Sequence, residues 1–452
     1  MEQSVGVQVP LYPPSLTTDW KVTTLQVTIT PVTDVQQEAE IEVTNEELQP
    51  HFDKAYEKYR PKLEIKGFRK GRVPLPMIKK LYGEAIERDS LDSIADDLYQ
   101  KAMEEKDIHP LGKAALVDMD FKRGERFRFR IKYEVRPAIT LQTYKGLTVE
   151  KEIHPVTDAE MEAEVDHIRR ANASTAPAET VTDPEHIVTA DVQELDEAGT
   201  PLIGRKSAGM QFLLSDPNVI PEIKEALRHA RTGETYRASY ESKHDDHVHT
   251  LNLSITVTGI QKVTLPLLDD DLVKKITAGK VASRDEFMKN LRADLERYWT
   301  DQSERRLSDA IAAEVVRMHE FAVPDALVEG FLDSFVEDIK NQSRDKKLPQ
   351  GFDEQKFRQE SRAYAVWQAK WLLLREKIAE QEKISVSGED LEKLAETDAP
   401  RMGVTKEQLL RYYLGSGTAA ERLQSGRVMA FLKEHAKITE KTVTPQAGAG
   451  LT

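Results

Sequence analysis

The hydrophobic period changes along this chain, and that change limits the folds open to it. Phe127-Arg128-Phe129-Arg130-Ile131-Lys132-Tyr133 alternates strictly between apolar and cationic residues. A period of two is a strand with one wet face. From Leu265 onward the apolar residues instead recur every three or four positions, as in Tyr364, Trp367, Trp371 and Leu374, the spacing of a helix face. One architecture cannot serve both halves, and 452 residues exceed one ordinary domain. Residues 21–136 read as β-β-α-loop-α-β-β, with strands at Leu25–Thr30 and Ala39–Val43. Thr44-Asn45-Glu46-Glu47 is a capping box opening a helix that ends near Pro61. Gly67 to Pro76 reads as a loop, and Ile86 to Lys106 as a second amphipathic helix.

Pro137 to Pro155 reads as an extended connector. Thr157-Asp158-Ala159-Glu160 opens a helix to about Arg170, and residues 186–262 are strand-like, most clearly at Leu251–Val257. The remainder is helical. Leu327, Phe331, Phe335 and Ile339 share one helix face, and further helices follow near 389–397, 405–414 and 418–436. The expected fold class is α+β multidomain. It comprises a flexible extension (1–20), an α+β domain (21–136), a linker (137–155), a second α+β domain (156–262), an extended all-α domain (263–442) and a tail (443–452).

No cysteine is present. Disulfides, thiolate metal sites and cysteine nucleophiles are therefore excluded, and a reducing cytoplasm is the expected setting. No apolar run reaches the ~18 residues of a spanning helix, and no secretory signal pattern opens the chain. Net charge is −14, but its distribution is uneven. Residues 1–53 hold one base against nine acids, whereas Lys54 to Lys80 hold ten Lys or Arg against two acids. A basic island in an acidic chain is either a solvated helix face or a dock for phosphate or an acidic surface.

Inside the island stands Gly67-Phe68-Arg69-Lys70-Gly71-Arg72-Val73-Pro74. Two glycines permit sharp turns. The Phe between them either folds back into the core or is received by a partner. At this motif the chain resembles the bacterial trigger factor family, whose loop reads Gly-Phe-Arg-x-Gly-x-x-Pro; Gly67, Phe68, Arg69, Gly71 and Pro74 fill it. Val156-Thr157-Asp158-Ala159, Val323-Pro324-Asp325-Ala326-Leu327-Val328 and Lys437-Ile438-Thr439-Glu440-Lys441 match three later landmarks in order. The resemblance implies an ATP-independent chaperone with an N-terminal ribosome-docking domain, a prolyl-isomerase domain of the FK506-binding type and a helical domain that cradles nascent chains. It implies docking through Gly67, Phe68, Arg69, Lys70, Gly71, Arg72 and Pro74 on a large-subunit protein at the tunnel exit and adjacent rRNA. Nascent and unfolded polypeptides are the implied clients, with Phe331, Phe335, Trp367 and Trp371 as candidate contacts. A homodimer through the N-terminal domain is a further implication; a membrane partner and a cofactor are not.

The middle domain departs from the family pattern. Where relatives carry Asp-Phe-Thr-Gly, this chain has Asp191-Val192-Gln193-Glu194; where they carry Ile-Pro-Gly-Phe-Glu, it has Ile220-Pro221-Glu222-Ile223-Lys224. Such isomerases work by enclosing proline in an aromatic, dry pocket that favours the twisted amide, against a barrier of ~18–20 kcal/mol. With Val192 and Ile223 at the aromatic positions, the expectation is a retained fold whose pocket (Val192, Ile220, Pro221, Ile223) catalyses weakly or not at all. His244, His247 and His249 with Asp245 and Asp246 hold usable ligand chemistry, but alternation along a strand explains them, and no metal is expected. No phosphate-binding Gly-x-x-x-x-Gly-Lys motif and no nucleophile elbow occur. Two competing readings remain: a prolyl isomerase acting on unfolded chains, and a free dimeric holdase or assembly factor whose basic loop is buried between copies.

Overall fold

The computed structural model describes residues 26–65, 68–69, 71–244 and 247–443; the extension 1–20 and the tail beyond residue 443 lie outside them. The chain divides into two compact units. One comprises the chain up to Val149 with Ser308–Thr439, and the other comprises Glu150–Leu307 with the segment from Glu440.

The first unit begins with β1 (Gln26–Pro31), β2 (Gln36–Thr44), α1 (Asn45–Tyr59), a 3-10 turn (Arg60–Lys62), α2 (Leu75–Glu105), β3 (Leu111–Lys122) and β4 (Arg126–Glu134). The strands form one antiparallel sheet in the order β1-β2-β4-β3. Alternation along β4 divides its faces. Phe127, Phe129, Ile131 and Tyr133 are buried with Ile41 and Val43 against Leu48, Phe52 and Tyr56 of α1 and Ile94 and Leu98 of α2. Part of the cationic face is paired across the ladder: Arg130 lies 3.3 Å from Glu38 and 3.1 Å from Asp118. The capping box forms, with Thr44 N donating to Glu47 Oε2 at 2.6 Å.

Two boundaries differ from the sequence reading. α2 starts at Leu75, not Ile86, because Pro76 occupies the first turn, where its missing N–H has no intrahelical partner anyway. The stretch 137–155 is not a bare connector. It contains β5 (Thr148–Ile153), and within the first unit Gln142 N donates to His319 Nε2 (2.8 Å), Tyr144 to Glu382 (2.6 Å) and Gly146 N to His435 O (2.8 Å).

The second unit contains α3 (Asp158–Ala171), β6 (Ser174–Ala178), β7 (His186–Leu195), β8 (Pro201–Leu213), α4 (Pro221–Leu227), β9 (Thr235–His244), β10 (His247–Thr264) and α5 (Asp270–Ile276). The sheet runs β6-β10-β7-β8, and β9 pairs with β10. Its core gathers Val188, Ala190, Ile255 and Val257 under Ile223 and Leu227 of α4. Thr157 and Glu160 cap α3 reciprocally. α6 (Arg284–Arg317) runs through Leu307 in this unit and continues in the other.

The first unit then resumes with α7 (Asp325–Gln342), α8 (Glu354–Gln381), α9 (Gly388–Met402), α10 (Lys406–Ser416) and α11 (Thr418–Glu434). The buried stripe of α7 is Val328, Leu332 and Val336, one position on from the face read in the sequence; Phe331 and Phe335 are only half-buried. The outer side of the α7–α8 hairpin is held by charge. Arg358 bonds Glu354 (2.9 Å), Glu329 (3.3 Å) and Asp333 (2.5 Å), and Arg362 bonds Glu329 (2.8 Å). The helical pattern does not reach the end: Lys437–Thr442 forms a strand, β11, paired with β5. The β-branched residues Ile438 and Thr439 suit that pairing.

Candidate docking loop, cavity and aromatic surface

The loop between α1 and α2 is fixed at its base and open at its tip. Ile65 is partly buried on one side and Val73 fully buried on the other. Phe68 N donates to Ile65 O at 3.0 Å, and Arg72 N to Arg69 O at 2.9 Å. Gly71 sits at φ +77°, in the region that favours glycine. Pro74 is the N-cap of α2. Phe68 remains 39% exposed, so it does not fold back into the core. Among the described residues neither Arg69 nor Arg72 has an ion-pair partner, unlike Arg126 and Arg130 of β4. Gly67 and Lys70 lie outside the described residues.

In the same domain, α1, α2 and the β3–β4 turn meet at a node that the sequence reading missed. Glu87 is buried, accepts from the Tyr56 hydroxyl, and takes Arg123 Nε at 2.7 Å and Nη2 at 3.2 Å. Burial and the Glu87 carboxylate raise the Tyr56 hydroxyl pKa. Gly83 makes room for this: a Cβ there would stand 3.1 Å from Arg123 Nη2. Lys79 ties the start of α2 to Asp53 of α1 at 2.6 Å.

In the second unit, Val192, Ile220 and Ile223 line one cavity of about 360 Å³ with Met210, Phe212, Tyr240 and Leu253. Pro221 is not in the lining but opens α4 directly behind Ile220. Glu194 and Arg205 stand at the rim, 4.0 Å apart. The walls are chiefly aliphatic.

On the α7–α8 hairpin the half-buried aromatics form a ladder. Phe331 lies 6.4 Å from Phe335, Phe335 stacks on Tyr364 at 5.5 Å, and Tyr364 stacks on Trp367 at 6.0 Å. Tyr364 is exposed, while Trp367 and Trp371 are half-buried. Ala365 and Ala369 occupy the buried positions of α8, and their small size lets the larger rings sit at the margin. Tyr364 therefore belongs with the candidate client contacts. Among the described residues no group of three His, Asp or Glu is placed to hold a metal ion. Asp245 and Asp246 lie outside them, as do the side chains of His244, His247 and His249. No described helix is long and apolar enough to cross a membrane.

An exposed basic-aromatic loop on one α+β module, a second α+β module with a small cavity, and a helical hairpin with aromatics at its margin define a modular polypeptide-binding protein. Residues 25–168 match the bacterial trigger factor protein family, and residues 283–434 match the bacterial trigger factor C-terminus. A trigger factor of Chloroherpeton thalassium is 30% identical over 423 residues, covering 92% of this chain and 98% of that protein. A trigger factor of Salinibacter ruber is 28% identical over 440 residues, covering 92% and 95%. The chain belongs to the bacterial trigger factor family of ribosome-associated chaperones. A solved structure described as "Promiscuous Substrate Recognition in Folding and Assembly Activities of the Trigger Factor Chaperone" covers 90% of this chain and 98% of its own, at 20% identity and a TM-score of 0.47.

Proposed function

We propose that the loop at residues 67–74 docks this chaperone on a large-subunit protein and adjacent rRNA at the ribosomal tunnel exit. There the helical region shelters nascent polypeptides in the cytoplasm without ATP. The observation that carries this is Phe68, exposed beside Arg69 and Arg72, which have no ion-pair partner among the described residues, on a loop whose base is held by Ile65 and Val73. An exposed aromatic flanked by unpaired arginines has the composition of a binding hot spot. Arginines without intramolecular partners lose no ion pair on meeting phosphate or carboxylate. Residues 21–136 act as the docking domain, 156–262 as an FK506-binding-like domain and 263–442 as the holding domain. The ladder Phe331, Phe335, Tyr364 and Trp367, with nearby Trp371, supplies apolar contacts that are individually weak. Release without nucleotide needs such contacts, because dissociation rates follow from the strength of the few best anchors.

Isomerisation is not the favoured activity. Val192, Ile220 and Ile223 form an aliphatic wall, whereas stabilising a twisted prolyl amide calls for a closed, desolvating enclosure. The docking role is tested by co-sedimentation with bacterial ribosomes across a salt series, for the native chain and for Phe68/Arg69/Lys70→Ala. Salt-sensitive binding lost in the triple variant is expected. Equal binding by both would make the loop structural. No binding by either would favour a free dimeric holdase, with the loop buried between copies.

A further inference from the structure

We propose that the segment joining α7 to α8, residues 343–353, is a contact for the phosphate backbone of RNA, separate from the loop at 67–74. The chain carries a net charge of −14, yet residues 339–352 hold four cations, Lys340, Arg344, Lys346 and Lys347, against one acid, Asp345. The potential close to a surface follows its local charge, so an acidic protein can still present a cationic contact.

The cations farther down the hairpin are committed to it. Arg358 and Arg362 bond carboxylates of α7. Lys340 pairs with Glu337 at 3.4 Å in the last turn of α7, where the helix dipole favours a cation. Arg344, Lys346 and Lys347 lie past that turn. They are exposed, and among the described residues none of them has an ion-pair partner. The acids beside them are engaged by backbone. The Asp353 carboxylate accepts from Lys356 N at 3.0 Å as the N-cap of α8, and Asp345 Oδ1 accepts from Lys347 N at 3.3 Å. The segment that carries the cations is itself held: Ser343 N donates to Lys340 O at 3.1 Å, and Lys346 N to Ser343 O at 3.0 Å. Lys346 takes φ +55°, a region that glycine and asparagine fill more readily. An exposed lysine there gains no packing for its strain, and what it adds over glycine is its charge.

The kind of anion follows from the rest of the surface. Among the described residues no large apolar side chain is exposed between Tyr298 and Tyr364. Leu348 is half-buried, and Phe352 packs on Phe357 with ring centroids 5.3 Å apart. Binding to a lipid surface draws on buried apolar area as well as charge, and a protein hot spot is built on a large anchor side chain. The segment exposes neither, and it has no exposed ring on which a base could stack. Cations alone suffice for phosphates, which are bound without regard to sequence. A guanidinium such as that of Arg344 can fork onto two phosphate oxygens, and lysines act as point charges.

The test measures binding of the full chain to a labelled RNA duplex of about twenty base pairs by fluorescence anisotropy across a salt series. The native chain is compared with Arg344→Gln/Lys346→Asn/Lys347→Gln, with Phe68/Arg69/Lys70→Ala, and with the two sets combined. The first variant is expected to bind about tenfold or more weakly at low salt. Its slope of log affinity against log salt should fall by about two, since each phosphate contact contributes ~0.9. The same loss is expected when the docking loop is already altered. Arg344→Gln alone, expected to weaken binding a few-fold, keeps the test open should the triple change disturb folding. No binding by the native chain, or an unchanged affinity and slope in the variants at 344–347, overturns the proposal. So does a loss confined to Phe68/Arg69/Lys70→Ala, which would leave the RNA contact to the docking loop. Phosphatidylglycerol vesicles and a glutamate-rich peptide are titrated alongside. An equal loss on either would make the segment a general anion patch and overturn its assignment to RNA.

Discussion

Replacing Glu87 by Ala is expected to loosen the junction of α1, α2 and the β3–β4 turn, with a cost that separates into three parts. Tyr56 is buried, and Glu87 is its hydroxyl's hydrogen-bond partner. Leaving that hydroxyl unsatisfied costs about 1–3 kcal/mol. The Arg123 side chain is 54% exposed and rehydrates, so loss of its ion pair adds only about 0–1 kcal/mol. Loss of buried methylene adds about 0.8 kcal/mol for each CH₂. The total is about 2–5 kcal/mol for Glu87→Ala. Glu87→Gln keeps an acceptor and the volume, and is expected to cost about 1 kcal/mol. A multidomain chain need not unfold in one step. The assay is therefore amide hydrogen exchange resolved to α1, α2 and the β3–β4 turn, where opening free energies are read locally. The discriminating variant is Tyr56→Phe/Glu87→Ala, which removes the stranded hydroxyl and should recover part of the loss. If the double variant exchanges as fast as Glu87→Ala, or if Glu87→Gln costs as much as Glu87→Ala, the node does not work through Tyr56.

Three further outcomes are expected. Phe335→Ala should weaken suppression of client aggregation with a small stability change, because Phe335 is half-buried, whereas Leu332→Ala, buried in the same helix, should cost about 2–5 kcal/mol; thermal melts and light scattering separate the two. Burial and the Glu382 carboxylate push the Tyr144 hydroxyl pKa up to about 12. The native state thus holds this proton more tightly than the unfolded chain, and the contribution is full below pH ~10 and lost as pH rises toward 12; Tyr144→Phe should flatten that alkaline slope in a denaturant titration. Gly112→Ala should destabilise the first unit by about 1–2 kcal/mol or more, since Gly112 has φ +65° and a Cβ there would stand 2.6 Å from Ala326 Cβ; urea unfolding checks it.

The sequence exposed those features that repeat or cap. Alternation in Phe127–Tyr133 located β4, and Thr44/Glu47 and Thr157/Glu160 located the starts of α1 and α3. The start of α2 was obscured because Pro76 reads as a breaker until its place in the first turn is known. The α7 face was misread by one position. Phe331 and Phe335 are larger and more apolar than Val328 and Val336, yet the close approach of Ala365 and Ala369 on α8 admits the smaller side chains and leaves the rings at the margin. β11 escaped notice because its strand partner, β5, lies 290 residues earlier by the Thr439–Val149 contact. At the cavity, Val192, Ile220 and Ile223 were legible from local motifs. Met210, Phe212 and Tyr240 were not, because strand pairing alone brings them together. The Tyr56–Glu87–Arg123 node joins three distant segments and has no local signature.

The docking role is tested most directly by a photo-crosslinking amino acid placed at Phe68, with the full chain bound to translating ribosomes. The account predicts a crosslink from position 68 to a large-subunit component beside the tunnel exit, diminished by salt and by Arg69→Ala. A crosslink only to a second copy of this chain, unchanged by added ribosomes, would contradict it.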